Sequence, residues 1–198
     1  MHSDALAPGL ADPVLDAQAA FRSVMEALAR PGTIRRLPTR LSPPAPLPPG
    51  LAAIALTLAD ADAPLYLDAP LAQAPAVADW LRFHTGAAIV SDPKAAAFAL
   101  IADAPRCSPF ADFALGEPAY PDRSTTLVLA VSRLETGSGF VLEGPGIAGR
   151  ARLDAGPLPA DFRARIGANN ALFPCGVDLL LVAGDAVAGL PRTTRIVE

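Results

Sequence analysis

The stretch "TTLVLAVSRL", residues 125–134, decides the fold class. From Leu127 to Val131 every side chain is apolar, so a strand here leaves neither face for water. A strand covered on both faces lies inside a sheet that is itself flanked by further layers. That is the setting of α/β proteins.

Working outward, "PLYLD" (64–68), "AAIVSDP" (87–93) and "AAAFALIAD" (95–103) read as further short, buried strands, and "LAAIALTLAD" (51–60) as a nearly all-apolar helix. "LAQAPAVADWLRFHTG" (71–86) has helical spacing toward Trp80, Leu81 and His84 and closes at Gly86. Near the beginning, "DAQAAFRSVMEALARPG" (16–32) places Ala17, Ala20, Phe21, Val24 and Leu28 on one helix face, with Arg22, Glu26 and Arg30 repeating every four residues. Pro31-Gly32 ends that helix, and "TIRRL" (33–37) follows as a short strand.

Downstream of the opening stretch, "GFVLEG" (139–144) reads as a second strand, with "ETGSG" (135–139) as the turn between the two. "PLPADFRARIGANNALFP" (157–174) supplies one helix and a loop. "GVDLLLVAG" (176–184) and "AVAGLPRTT" (186–194) pair as a hairpin across Gly184-Asp185. The span Ala104–Pro121 reads as a long loop. The expected organisation is one domain over 1–198, with a flexible N-terminus at 1–11 and a stiff proline-rich connector at 38–50. A proline-rich ligand for an aromatic groove is the alternative use of the connector.

Composition narrows the function. The chain has 198 residues, is 52% hydrophobic and 18% charged, and carries a net charge of -4. It has no general field for a nucleic acid backbone or an anionic membrane, and no apolar run reaches the length of a membrane span. The start lacks a basic segment followed by an apolar one, and two cysteines, Cys107 and Cys175, form no disulfide framework. A cytoplasmic protein is expected.

Lys94 is the single lysine, so any Schiff base or lysine base must be Lys94. His84 at a helix end suits capping or packing, with catalysis as the sharper alternative. Cys175 in "FPCGVD" has no visible base, and Cys107, Cys175 and His84 lack ligand spacing, so no metal site is expected. The pairs Asp60/Asp62 and Asp103/Asp112 are unassigned, "ADAD" also being ordinary turn chemistry. "LPRTTR" (190–195) gathers Arg192, Thr193, Thr194 and Arg195, suited either to an anion or to a solvated strand end.

"EGPGIAGR" (143–150) contains G-x-G-x-x-G at Gly144, Gly146 and Gly149. A dinucleotide site needs a helix opening on that loop and an acidic residue about 20 positions further on. "RARLDAGPLPA" (150–160) is too proline-broken for the helix, and the acidic partner is missing. A glycine-bent strand exit or a close packing contact is the better reading, with Arg150 unassigned.

Taken together and in order, "DAQAAFRSVMEALARPGTI", "LTLADADAPLYL", "LRFHTGAAIVSDP", "LEGPGI", "FPCGVDLLL" and "LPRTT" resemble the H subunit family of the bacterial carbon-phosphorus lyase system, from about Asp12 to Arg195. The resemblance implies a three-layer α/β domain with a mixed sheet, similar to the pyridoxal-phosphate-dependent transferase fold but without its cofactor site. It implies no cofactor, a homodimer, and assembly with the G, I and J subunits of the core complex. It further implies a requirement, with the G, I and L subunits, for making ribose 1-alkylphosphonate 5-triphosphate from ATP and alkylphosphonate, in a structural role with no assigned catalytic residue. The alternative is a stand-alone enzyme binding ATP, phosphonate or pyridoxal phosphate through Lys94, His84 or the Arg192/Arg195 cluster.

Overall fold

The computed structural model describes residues 8–197. Its centre is the strand expected from "TTLVLAVSRL": β7 (Thr126–Ala130), with Leu127, Val128 and Leu129 fully buried. Parallel neighbours lie on both sides of it, β4 (Phe98–Ile101) and β10 (Asp178–Ala183), in the register Leu100↔Val128↔Leu180. Beyond β4 lie β2 (Leu65–Leu67) and then β3 (Ile89–Val90), both parallel. Beyond β10, β11 (Ala186–Leu190) returns antiparallel across Gly184-Asp185, and β1 (Arg35–Arg36) pairs antiparallel with it. The mixed sheet has seven strands in the order β1-β11-β10-β7-β4-β2-β3.

Alternation along these strands feeds two cores. Val128, Leu180, Val182, Leu65 and Leu100 point to one face, where α1 (Leu15–Ala29), α2 (Pro49–Leu58) and α4 (Pro75–Thr85) cover them with Val24, Ile54, Leu51 and Trp80. Leu127, Leu129, Leu179 and Leu181 point to the other, against Phe162 and Ile166 of α5 (Phe162–Asn170) and against Leu142 and Leu153. Those two leucines lie on β8 (Arg133–Glu143) and β9 (Ala151–Gly156), which with β12 (Arg195–Ile196) make a three-stranded sheet in the order β12-β8-β9. Each fully buried Leu or Val contributes about 1.5–3 kcal/mol relative to exposure. Burial of both faces therefore explains why the strands are so uniformly apolar.

Several sequence expectations need correction. "ETGSG" is not a turn: β8 runs through it as one strand, with a register shift between Thr136 and Phe140 where Gly137 and Gly139 take positive φ. The break lies earlier, at Val131-Ser132, where the chain leaves the large sheet. The helix expected over 71–86 is interrupted, because Pro75 restarts it as α4 after the short α3 (Ala69–Ala72). The span 104–121 is not all loop; it holds β5 (Leu115–Glu117) and the start of β6 (Tyr120–Ser124), an antiparallel hairpin. Phe21 of α1 does not join the core and is 50% exposed, the buried face being Ala20, Val24 and Ala27.

The proline-rich connector ends at Pro48, since Pro49 and Gly50 open α2, and Leu41 and Leu47 anchor it in the core. Of the N-terminal 1–11 segment, residues 1–7 lie outside the described residues, while Leu10 packs against the helical core. Among the described residues no helix is long and apolar enough to cross a membrane.

Candidate functional site

The "EGPGIAGR" turn connects β8 to β9 as a hairpin closed at Leu142↔Ala151. No helix follows it, so there is no N-terminal row of amides to face a pyrophosphate. Its glycines serve contact instead. Gly146, at φ +81, passes so close to Ala29 O at the end of α1 that an added Cβ would collide with that carbonyl. Gly144 lies against the following turn, where an added Cβ would meet Thr193 O at 2.9 Å. The sequence reading of these glycines as a sharp strand exit and a packing contact thus holds.

Gly144 and Pro145 face Thr193 and Arg195 across a groove of about 390 Å³ that is completed by Asn170 and Phe173 at the end of α5. Glu143 sits beside it and accepts from Arg150 Nε at 2.9 Å, while Arg195 Nη2 lies 3.6 Å from its other oxygen. Arg195 and Glu143 are direct partners across β12 and β8, so their ion pair is set by register.

Arg192 is a correction to the expected cluster. Its guanidinium donates to both Asp178 oxygens, to the carbonyls of Pro121 and Pro174, and to Ser124 Oγ. Only 13% of its side chain is exposed. It is a tie between the β5–β6 hairpin and β10, and it is not presented to a ligand. Thr194 is buried, and its hydroxyl has no hydrogen-bond partner among the described residues.

The remaining candidates stand apart. Lys94 is exposed on the β3–β4 connection, where its backbone N–H donates to Asp92 Oδ1 at 2.9 Å. His84, next to last in α4, places its ring 4.6 Å from that of Trp80 and 5.1 Å from that of Phe83. Cys107 is buried, which pushes its thiol up to about 11, and Arg165 only partly offsets this. Cys175 is half-buried, with its N–H on Leu172 O. Asp60 accepts from the Asp62 N–H at 2.9 Å, the turn chemistry already noted. No group of three or more His, Cys, Asp or Glu side chains suited to a metal ion occurs among the described residues.

Sequence reasoning missed Asp68. The chain runs from β2 to β3 on one side and then to β4 on the other, so the strand order reverses between β2 and β4. At the carboxyl ends of these two strands, where open α/β sheets place their crevices, a cleft of about 300 Å³ is lined by Asp68, Pro70, Gln73, Asp103 and Arg106. Asp68 is 9% exposed and accepts from Asp103 N at 2.8 Å and Leu71 N at 3.4 Å. Burial raises its carboxyl above the usual range, against the lowering effect of those N–H groups. The available signal was an Asp closing a strand just before Ala-Pro, which is a helix-cap pattern.

Fold and site define a mixed-sheet α/β protein whose glycine fingerprint joins two turns instead of cradling a dinucleotide. The family description "Bacterial phosphonate metabolism protein (PhnH)" matches residues 8–197, and the chain belongs to that family. It is 45% identical over 186 residues to the alpha-D-ribose 1-methylphosphonate 5-triphosphate synthase subunit PhnH of Rhizobium meliloti (strain 1021), covering 94% of this chain and 92% of that protein. It is also 42% identical over 82 residues to HtxG of Stutzerimonas stutzeri, a protein whose name assigns it provisionally to the C-P lyase, covering 41% of this chain and 42% of that one.

Proposed function

We propose that this chain is a cytoplasmic subunit of the carbon-phosphorus lyase system of phosphonate catabolism, and that its part is assembly rather than bond-making. In this reading it folds as a single domain similar to pyridoxal-phosphate-dependent transferases, without their cofactor. It forms a homodimer and joins the G, I and J subunits. With the G, I and L subunits it serves the transferase step that makes ribose 1-alkylphosphonate 5-triphosphate from ATP and alkylphosphonate.

The observation that carries the proposal is the 45% identity, over 94% of the chain, to a named synthase subunit. The surface supports it. Val14 and Leu15 are each 63% exposed on or beside α1, with Phe21 and Met25 further along at 50% and 48%. Phe21 and Met25 border a groove of about 520 Å³ against Thr57 of α2. Apolar surface gathered this way marks an interaction site more often than a free surface.

The test is native mass spectrometry of the purified chain with and without the G, I and J proteins, alongside an assay of ATP plus alkylphosphonate. A dimer that co-assembles, and that restores synthesis to the other subunits without turnover of its own, is the expected result. Failure to co-assemble overturns the assembly reading, and turnover by the isolated chain returns the stand-alone enzyme.

A further inference from the structure

We propose that the groove between the Gly144-Pro145 turn, the end of α5 and the turn before β12 binds a phosphoryl oxyanion carried on a molecule with a planar ring. Arg195 and Thr193 hold the oxyanion, and the ring lies on Phe173.

Three segments distant in sequence converge there: Gly144 and Pro145, Asn170 and Phe173, and Thr193 and Arg195. The first and last are fixed to each other by contact, because only a glycine at 144 lets the two turns meet. The groove's shape is therefore set by backbone packing before any ligand arrives. Its volume falls in the range of small-molecule sites.

Charge selects the occupant. Arg195 is the one charged side chain among the residues lining the groove. Glu143 beside it is shared between two guanidiniums, held at 2.9 Å by Arg150 and only loosely, at 3.6 Å, by Arg195. Arg195 is 60% exposed, so turning it toward a ligand gives up little. A guanidinium matches a tetrahedral phosphoryl oxyanion in fork geometry, and a threonine hydroxyl adds a donor.

The negative end of α5 opposes an anion. It is blunted, because the N–H groups of Ala171, Leu172 and Phe173 bond the carbonyls of Gly167, Asn169 and Asn170. Phe173 is 64% exposed, and a ring so placed offers a face for stacking.

The full chain is titrated calorimetrically with ATP, tripolyphosphate and methylphosphonate. ATP is chosen because the proposed complex handles a ribosyl triphosphate, so the ring half of the inference rests on that reading. ATP and tripolyphosphate are expected to bind in a salt-sensitive manner, with methylphosphonate weaker. Arg195→Gln should weaken both by about tenfold, and Glu143→Gln, which removes the competing carboxylate, should tighten both. Phe173→Ala should weaken ATP and leave tripolyphosphate unchanged.

Binding of none of the three, or binding indifferent to Arg195→Gln, overturns the site. ATP affinity unmoved by Phe173→Ala overturns the ring contact. Co-assembly of each variant is measured separately, so failure of this inference is distinguishable from failure of the assembly reading.

Discussion

At the scale of single residues, chemistry follows from burial more than from residue type. Cys107 is a possible nucleophile by type, but desolvation holds its thiol near 11, and a thiol attacks as thiolate. Iodoacetamide at pH 8 should leave Cys107 unmodified in the folded chain and label it after denaturation, as peptide mass spectrometry would show. The same shift has a stability consequence. The unfolded thiol ionises near its ordinary value of 9.0 and the folded one near 11, so the stability is fully present below the lower value. Between the two the unfolded state has already lost its proton, and on the order of 3 kcal/mol is forfeited as pH rises. A Cys107→Ser or Cys107→Ala chain should show a flatter decline in that window.

Among elements, the β8–β9 turn and the end of α1 lock through one glycine. Gly146→Ala meets both an unfavourable φ of +81 and a collision with Ala29 O, and should cost about 1–3 kcal/mol in urea unfolding. Gly149→Ala shares the positive φ, at +75, but opens on empty space and should cost only about 1 kcal/mol. Equal losses at the two positions would refute the packing contact.

Element types were largely legible. The three-and-four spacing of α1, the all-apolar α2 and the Gly184-Asp185 hairpin are all local patterns. The reading of "ETGSG" as a turn failed because glycines that permit a turn also permit a bulge, and pairing with β9 decided between them.

Across the whole molecule, Arg192 ties three regions, the β5–β6 hairpin, the Pro174 loop and β10, through one side chain. Arg192→Ala leaves Asp178 half-buried without its guanidinium, and should cost about 2–3 kcal/mol, seen as a lower urea midpoint at constant slope. Arg192→Lys should recover little of this, because an ammonium cannot span the fork. Wild-type stability in either variant would mean that the network is ornamental.

The sequence by itself determined the α/β class, the strand buried on both faces, the place of most helices and the failure of the dinucleotide fingerprint, because periodicity and turn chemistry act over a few residues. Only the tertiary structure decided which arginine is consumed and which is left at the surface. Arg192 and Arg195 sit three positions apart in one short motif, yet one is enclosed by Asp178 and Ser124 while the other lies beside a groove made by residues 144, 170 and 193. That difference depends on strand register and on how two distant turns meet, and pairings of such sequence separation leave no trace in the local pattern of either partner.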